Sequence, residues 1–574
     1  MKLFRRLLTF ALVFLVIAAS WLWWNRPEKT DMAAYAPADS LVYVESNSLI
    51  DVAANITNTD AWKTLGPFLG LNRNTWQDRW LQHLSAWTGI GPAQTVILTR
   101  AQVAVVMVDL STAEDGATLR VKPEAALLIE THTAERRIKP VVEKVLMQFA
   151  EHTYGQPTFV RSNLDGAEFI KWTVPATDHQ IVATINGSLV IIGNSERAVK
   201  ACLAVRLGQR PSLRDDPEMR ELRGNLAADN ALAFGYVSPG NTARLFSFAA
   251  PLLFGKAPGD LQFERLIASS AAKVLGSVGW SSHPFMGGIE DRYLFSLQPA
   301  VVSRLRPFFR TTKTSREFLA ILPEDFYSLT IYKYESPAAA WQGIESAISS
   351  QLDALSTVIF TSLVRSALLP YGIEEPERFL RAVSPELFTV RLEPGAERTL
   401  LVAGARDKKA LQEMVTKGLG QSVKGEQLGK AKIVESSEKR SVVSFIDGYL
   451  VMGSPADIQR CVQVRGTERP ISNEERFKVV SHFVPFSSAA NIVTYTNDVE
   501  RVRNFLSTIA GTKGALPDPN GTTGLDQAFA ELPYSATETS LGDHGLERRT
   551  RSSFGQFSTL VPLLYSDQLN RGQK

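Results

Sequence analysis

The chain reads as an α+β protein: one N-terminal transmembrane helix, followed by two related copies of antiparallel sheets with helices packed on one face. Three observations lead there. An uninterrupted apolar segment opens the chain. Short runs rich in Val, Ile, Tyr and Phe come in pairs joined by tight-turn dipeptides and lead into helical patterns. A set of motifs from the first half recurs in the same order in the second.

The opening segment comes first. Lys2, Arg5 and Arg6 form a basic flank ahead of an apolar run from Leu7 to Trp24, broken only by Thr9 and Ser20. Leu7, Phe10, Leu12, Phe14 and Ile17 make its apolar body, and Trp21, Trp23 and Trp24 fall where amphipathic rings settle at a membrane interface. About 18 residues at ~1.5 Å rise span roughly 27 Å, close to the hydrocarbon thickness of a bilayer. Asn25-Arg26-Pro27 then ends the helix. The positive-inside tendency puts the basic flank in the cytoplasm and everything beyond the helix outside. Ala18-Ala19-Ser20 offers the small residues a signal peptidase needs. The apolar run continues past that point, which favours a retained anchor, and either reading exports the remainder. The expected location is the bacterial inner membrane, single-pass, with the bulk of the chain in the periplasm or extracytoplasmic space. The expected organisation is a cytoplasmic tip (1–6), the anchor (7–24), a linker (25–31), a first α+β repeat (32–310), a second (311–565) and a polar tail (566–574).

Composition narrows the function classes. With 574 residues, 44% hydrophobic and 21% charged, the chain can bury sizeable cores without staples. A net charge of +3 without a long Lys/Arg run gives no electrostatic footprint for nucleic acid. The two cysteines, Cys202 and Cys461, leave room for one disulfide at most, and neither lies near the leader for lipid attachment.

The duplication organises the rest. Gly187-Ser188-Leu189-Val190 opens a block reaching Gly193, Cys202, Val205 and Pro211, and Gly448-Tyr449-Leu450-Val451 opens one reaching Gly453, Cys461, Val464 and Pro470. Upstream, Pro37-Ala38-Asp39 resembles Pro323-Glu324-Asp325; downstream, Gly288-Ile289-Glu290-Asp291-Arg292 resembles Gly545-Leu546-Glu547-Arg548-Arg549. Equivalent cysteines in two separately folded copies lie far apart, so a bond between them is not expected. Each sits at helical spacing among apolar neighbours and reads as a small buried hydrophobe. Asn186-Gly187 and Asp447-Gly448 supply the positive φ of tight hairpins, and hairpins followed by helices imply helices layered on a sheet. Two apolar stretches, Leu245–Phe254 and Trp341–Leu363, carry little charge on one face.

No pattern for chemistry emerges. No two of the seven histidines share the i, i+4 spacing of a helical zinc pair. Phosphate loops, nucleophile elbows and GxGxxG turns are missing. Ser281-Ser282-His283 places a hydroxyl beside an imidazole with no carboxylate in view to orient it, and Glu290-Asp291 splays neighbouring carboxylates to opposite faces of a strand. Asp518, Asn520, Thr522 and Asp526 space oxygens along a Gly-rich loop but lack the EF-hand glycine and closing glutamate, so a plain turn is expected. No catalytic, cofactor-binding or metal-binding residue is assigned.

Pro37-Ala38-Asp39-Ser40-Leu41-Val42-Tyr43, Thr59-Asp60-Ala61-Trp62, Gly187-Ser188-Leu189-Val190, Pro211-Ser212-Leu213 ahead of Asp216-Pro217, and Glu290-Asp291-Arg292 together resemble the bacterial family called domain of unknown function 3352. That resemblance implies an exported, membrane-anchored protein and transfers no catalytic residue. In the second copy Pro470-Ile471-Ser472 stands in place of Pro211-Ser212-Leu213. The expected role is non-enzymatic binding or scaffolding at the cell envelope, with the membrane, envelope proteins or lipid as partners and no nucleic acid. The alternatives are a periplasmic lipid or apolar-ligand binder, motivated by the two apolar stretches, and an envelope hydrolase without a recognisable motif.

Overall fold

The computed structural model of the chain describes residues 29–69, 101–115, 118–164, 166–174, 179–253, 269–352, 357, 371, 373–395, 399–419, 425–428, 431–435, 442–464, 474–510 and 522–562. The anchor read from the sequence lies outside them. Among the described residues no helix is long and apolar enough to cross a membrane.

The first half contributes strands β1 (Val42–Ser46), β2 (Gln102–Asp115), β3 (Thr118–Glu130), β4 (Thr158–Leu164), β5 (Ala167–Thr173), β6 (Gln180–Asn186), β7 (Leu189–Gly193), β8 (Ala233–Val237), β9 (Leu275–Phe285) and β10 (Gly288–Leu297). The second contributes β11 (Ser328–Tyr332), β12 (Val383–Arg391), β13 (Leu400–Ala405), β14 (Gly425–Leu428), β15 (Ala431–Glu435), β16 (Val442–Ile446), β17 (Tyr449–Gly453), β18 (Ile492–Thr496), β19 (Ser535–Leu541) and β20 (Gly545–Ser552). Within the first half the strands pair laterally in the order β4-β5-β6-β7-β3-β2-β1-β8-β9-β10. Within the second the order is β14-β15-β16-β17-β13-β12-β11-β18-β19-β20. Every pairing is antiparallel, and each strand of one half occupies the place of its counterpart in the other.

The halves join edge to edge through β10 and β20 into one 20-stranded sheet. Arg292 stands opposite Arg549 in that seam, and these are equivalent positions of the repeated Gly288–Arg292 and Gly545–Arg549 motifs. Equivalent residues face each other across paired antiparallel strands only where a local twofold axis passes through the sheet. The seam therefore has the self-complementary form of a symmetric dimer interface, built within one chain. Two separately folded copies, the arrangement the repeats suggested, are not what forms. One apolar core takes Ile56, Trp62, Leu65 and Ile289 from the first half and Val502, Phe505, Phe529 and Phe554 from the second.

Helices pack on both faces of the sheet, which corrects the one-faced reading. Val182, Leu189 and Ile191 pack with Val199 and Cys202 of the helix Glu196–Arg206. Their strand neighbours Ile181 and Ala183 pack instead with Leu146 and Ala150 of the helix Glu135–Tyr154. The second half repeats this: Tyr449 and Val451 meet Ile458 and Cys461, while Leu450 and Met452 meet Leu411. Successive side chains on a strand point to opposite faces, so an unalternating run such as Leu189-Val190-Ile191-Ile192 needs cover on both. Ser195 and Ser454 cap the two cysteine-bearing helices, accepting from the amides of Ala198 and Asp457. At the β16–β17 turn Asp447 and Gly448 both take positive φ (50° and 87°), the tight-turn chemistry expected of them. At the β6–β7 turn Gly187 alone does so, and Asn186 stays in its strand. The helix Pro239–Leu253 contains the first apolar stretch as far as the described residues reach, and Pro337–Ser349 contains the start of the second.

Candidate functional site

The seam gathers a cluster of buried charge. β10 sends Glu290 to one face and Asp291 to the other, as strand alternation requires. On the first face Glu290, 3% exposed, accepts from Arg292 Nε at 2.6 Å and from Arg551 Nε at 2.7 Å. Arg551 donates further to Glu538 at 3.0 Å and to the Phe483 carbonyl at 3.3 Å, with its guanidinium over the Phe285 ring. Ser488 donates to Glu538, and Lys333 donates to the Ser488 and Phe486 carbonyls. Burial raises the pKa of Glu290, but hydrogen bonds and charge from Arg551 and Arg292 more than offset this and hold it below the usual range. Burial lowers the pKa of the Lys333 ammonium. Within the first half β10 is an edge strand. Pairing with β20 turns that edge into the middle of the sheet.

On the opposite face Asp291, 1% exposed, accepts from the Trp280 indole and from the Gln556 amide, each at 2.9 Å. Gly555 lets the turn after β20 close over it. Its φ is 57°, and a Cβ there would lie 2.5 Å from Ile289 and 2.8 Å from the Asp291 carboxylate. Burial pushes Asp291 up to about 6, against the opposing pull of its hydrogen bonds and of Arg501. Asp498, buried and paired with Arg501, is also raised by burial.

This arrangement has a pH signature. The folded pKa of Asp291 lies above the ordinary 3.8, so between about pH 4 and 6 the folded chain holds a proton that the unfolded chain has released. Its contribution is fully present below about pH 4 and is lost as pH rises through 6. The difference is on the order of 2–3 kcal/mol at ~1.4 kcal/mol per unit. Glu290 works in the other direction, losing stability as pH falls through its lowered pKa. Moving from pH 7 to pH 5 should therefore stabilise the wild type relative to Asp291→Asn. Urea midpoints at the two pH values check this, and equal shifts in both proteins would refute it.

A cleft of about 270 Å³ lies at one end of the seam, lined among others by Glu218, Glu221, Ser277, Ser296 and His544. His544 pairs with Glu221 at 3.3 Å, and burial, then Asp216 and Glu221, raise the pKa of Glu218. Among the described residues Ser277 bonds Ser296 there.

The other residues singled out in the sequence fall elsewhere. Ser281 Oγ and His283 Nε2 do meet, at 2.9 Å, but both also bond the Leu226 carbonyl, and burial lowers the imidazole pKa. Ser281 is fully buried and His283 nearly so. Asp526 sits on the helix Thr522–Ala530 and pairs with Arg503 at 3.1 Å, while Asp518 and Asn520 lie outside the described residues. Cys202 and Cys461 are buried and form no disulfide, and burial pushes the Cys202 thiol up to about 12. Among the described residues no group of His, Cys, Asp and Glu could hold a metal ion.

One feature had no signal in the sequence. Thr30 is clamped to the sheet: its amide donates to Gln102 Oε1 and its carbonyl accepts from Gln102 Nε2, both at 2.8 Å. Gln102 also donates to Asn47 and meets His132. Next along the chain Asp31 pairs with Arg223 at 3.0 Å, and Arg223 pairs in turn with buried Glu45, which accepts from Tyr43. Partners up to 192 residues away in sequence thus fix the point where the chain enters the sheet.

No family model, curated protein or solved structure matches the chain, so the family resemblance rests on the quoted residues alone.

Proposed function

We propose that the chain is a non-enzymatic, membrane-tethered protein of the bacterial cell envelope. Leu7–Trp24 crosses the inner membrane once, and the sheet lies in the periplasm as a binding or scaffolding body. One observation carries the reading: an apolar run of bilayer length behind Lys2, Arg5 and Arg6, ending in three tryptophans. The Thr30–Gln102 clamp supports it, because a tethered body gains a defined orientation only if the tether is fixed where it enters the fold. The burial of Ser281 and His283, both bonded to the Leu226 carbonyl, speaks against a hydrolytic role for that pair. The resemblance to domain of unknown function 3352 agrees with this location.

Alkaline extraction of membranes should leave the full chain in the pellet, and removal of residues 7–24 should release it. Protease added to spheroplasts should digest the sheet domain. A chain that washes out at high pH or is protected from protease would overturn the reading.

A further inference from the structure

The local twofold supplies an internal control: each end of the sheet near the seam has an equivalent at the other end. The tether enters at one of them. Thr30 bonds Gln102, Gln102 bonds Asn47, and Ser48 caps the helix Leu49–Asn58. Asp60, two residues past that helix, donates its amide to Gly287 in the β9–β10 turn at 2.7 Å. Tether entry, first helix and hairpin tip thus form one continuous end of the molecule.

At two positions that end exposes an apolar side chain where its equivalent exposes a polar one, and at a third the equivalent is buried, although the equivalent end exposes Phe308. Met286 and Gly287 form a two-residue turn between the paired Phe285 and Gly288, and Met286 is 81% exposed. Its counterpart in the β19–β20 turn is Asp543, followed by His544. Leu560, 40% exposed, follows Phe557 and Val561 packing; its counterpart by the matching Val301 and Leu305 packing is exposed Arg304. Ile50, 48% exposed, is second in a helix capped by Ser48, and the second residue of the helix capped by Ser336 is buried Ala338. The backbone adds to the contrast. Met286 has φ 31°, a conformation that side chains other than Asn, Asp or Gly adopt at a cost. A large apolar residue held there and turned to solvent contributes nothing to the core, which points to a surface it meets.

The registers give the geometry. Ser46 is level with Ser282 through the β1–β8 and β8–β9 pairings, so the apex at Met286 stands four residues further out, about 13 Å at ~3.3 Å per residue. From Trp24 to Thr30 the chain spans at most roughly 20 Å, so a bilayer crossed by the leader lies within reach of that tip.

We infer that the Met286 turn is a second and shallow membrane contact, set into the interfacial region of the bilayer that holds the anchor. The inference rests on the tethered reading above. It is tested with the full chain in vesicles of phosphatidylethanolamine and phosphatidylglycerol, carrying Met286→Cys or Asp543→Cys labelled with an environment-sensitive fluorophore. Cys202 and Cys461 are buried and stay unlabelled. Both proteins should float with the vesicles. The probe at 286 should shift to the blue and lose most of its emission to spin-labelled lipid, while the probe at 543 keeps its aqueous emission. Flotation with both probes in water, or with both quenched alike, overturns the second contact and leaves the anchor standing. Failure to float overturns the anchor, and the second contact with it.

Discussion

Arg551→Met should destabilise the protein by about 3–5 kcal/mol, the usual cost of leaving a buried carboxylate without its partner. Arg551 lies in the second half and Glu290 in the first, with side chains 15% and 4% exposed. The substitution strips Glu290 of one of its two guanidinium partners and Glu538 of its own, and Glu290, 4% exposed, has little access to water in exchange. The pair itself need not add net stability over an apolar pair of similar size, because desolvation offsets its attraction. A double variant distinguishes the two quantities. Glu290→Gln with Arg551→Met should lose clearly less than the sum of the single losses, since neither change leaves the full charge of the other behind. Urea unfolding of the four proteins gives the cycle. Strict additivity, or a loss under about 1 kcal/mol for Arg551→Met, would show that the contact has no energetic weight across the seam.

The seam also marks how far the sequence could be read. The repeats were legible because each copy needs the same hairpins, caps and apolar strands: Ser195 and Ser454, Cys202 and Cys461 do the same work twice, and a glycine serves each hairpin, Gly187 at the first turn position and Gly448 at the second. What joins the copies was not, since pairing of β10 with β20 is carried by backbone amides and carbonyls, which every non-proline residue has. The alternation that splays Glu290 from Asp291 was readable, but their partners Arg551 and Gln556 come from more than 250 positions away, beyond any local pattern. Helices on both faces could have been inferred. Tyr449–Gly453 is buried throughout, and a strand without alternation has no face for water. The Met286 contact needed the twofold first, because a single exposed methionine is ordinary until its counterpart is seen to be Asp543.

Phe505→Ala should cost about 3–5 kcal/mol, as removal of a fully buried aromatic does, and its effect should appear most clearly in the other half of the chain. Phe505 lies on the helix Val499–Ala510, fully buried against Phe554 with ring centroids 4.8 Å apart. Phe554 in turn meets Trp62 edge-on at 6.4 Å, and Ile56, Leu65 and Ile289 share the same core. The first-half helices Leu49–Asn58 and Asp60–Leu65 therefore rest on second-half side chains. If the seam makes the halves one cooperative unit, the cavity left at Phe505 should speed amide exchange in those helices, roughly 440 positions upstream, as much as in its own helix. Separately stable repeats would confine the faster exchange to the second half. Native-state hydrogen exchange of residues 49–65 in the two proteins decides between them, and protection unchanged there would mean that the shared sheet does not couple the halves.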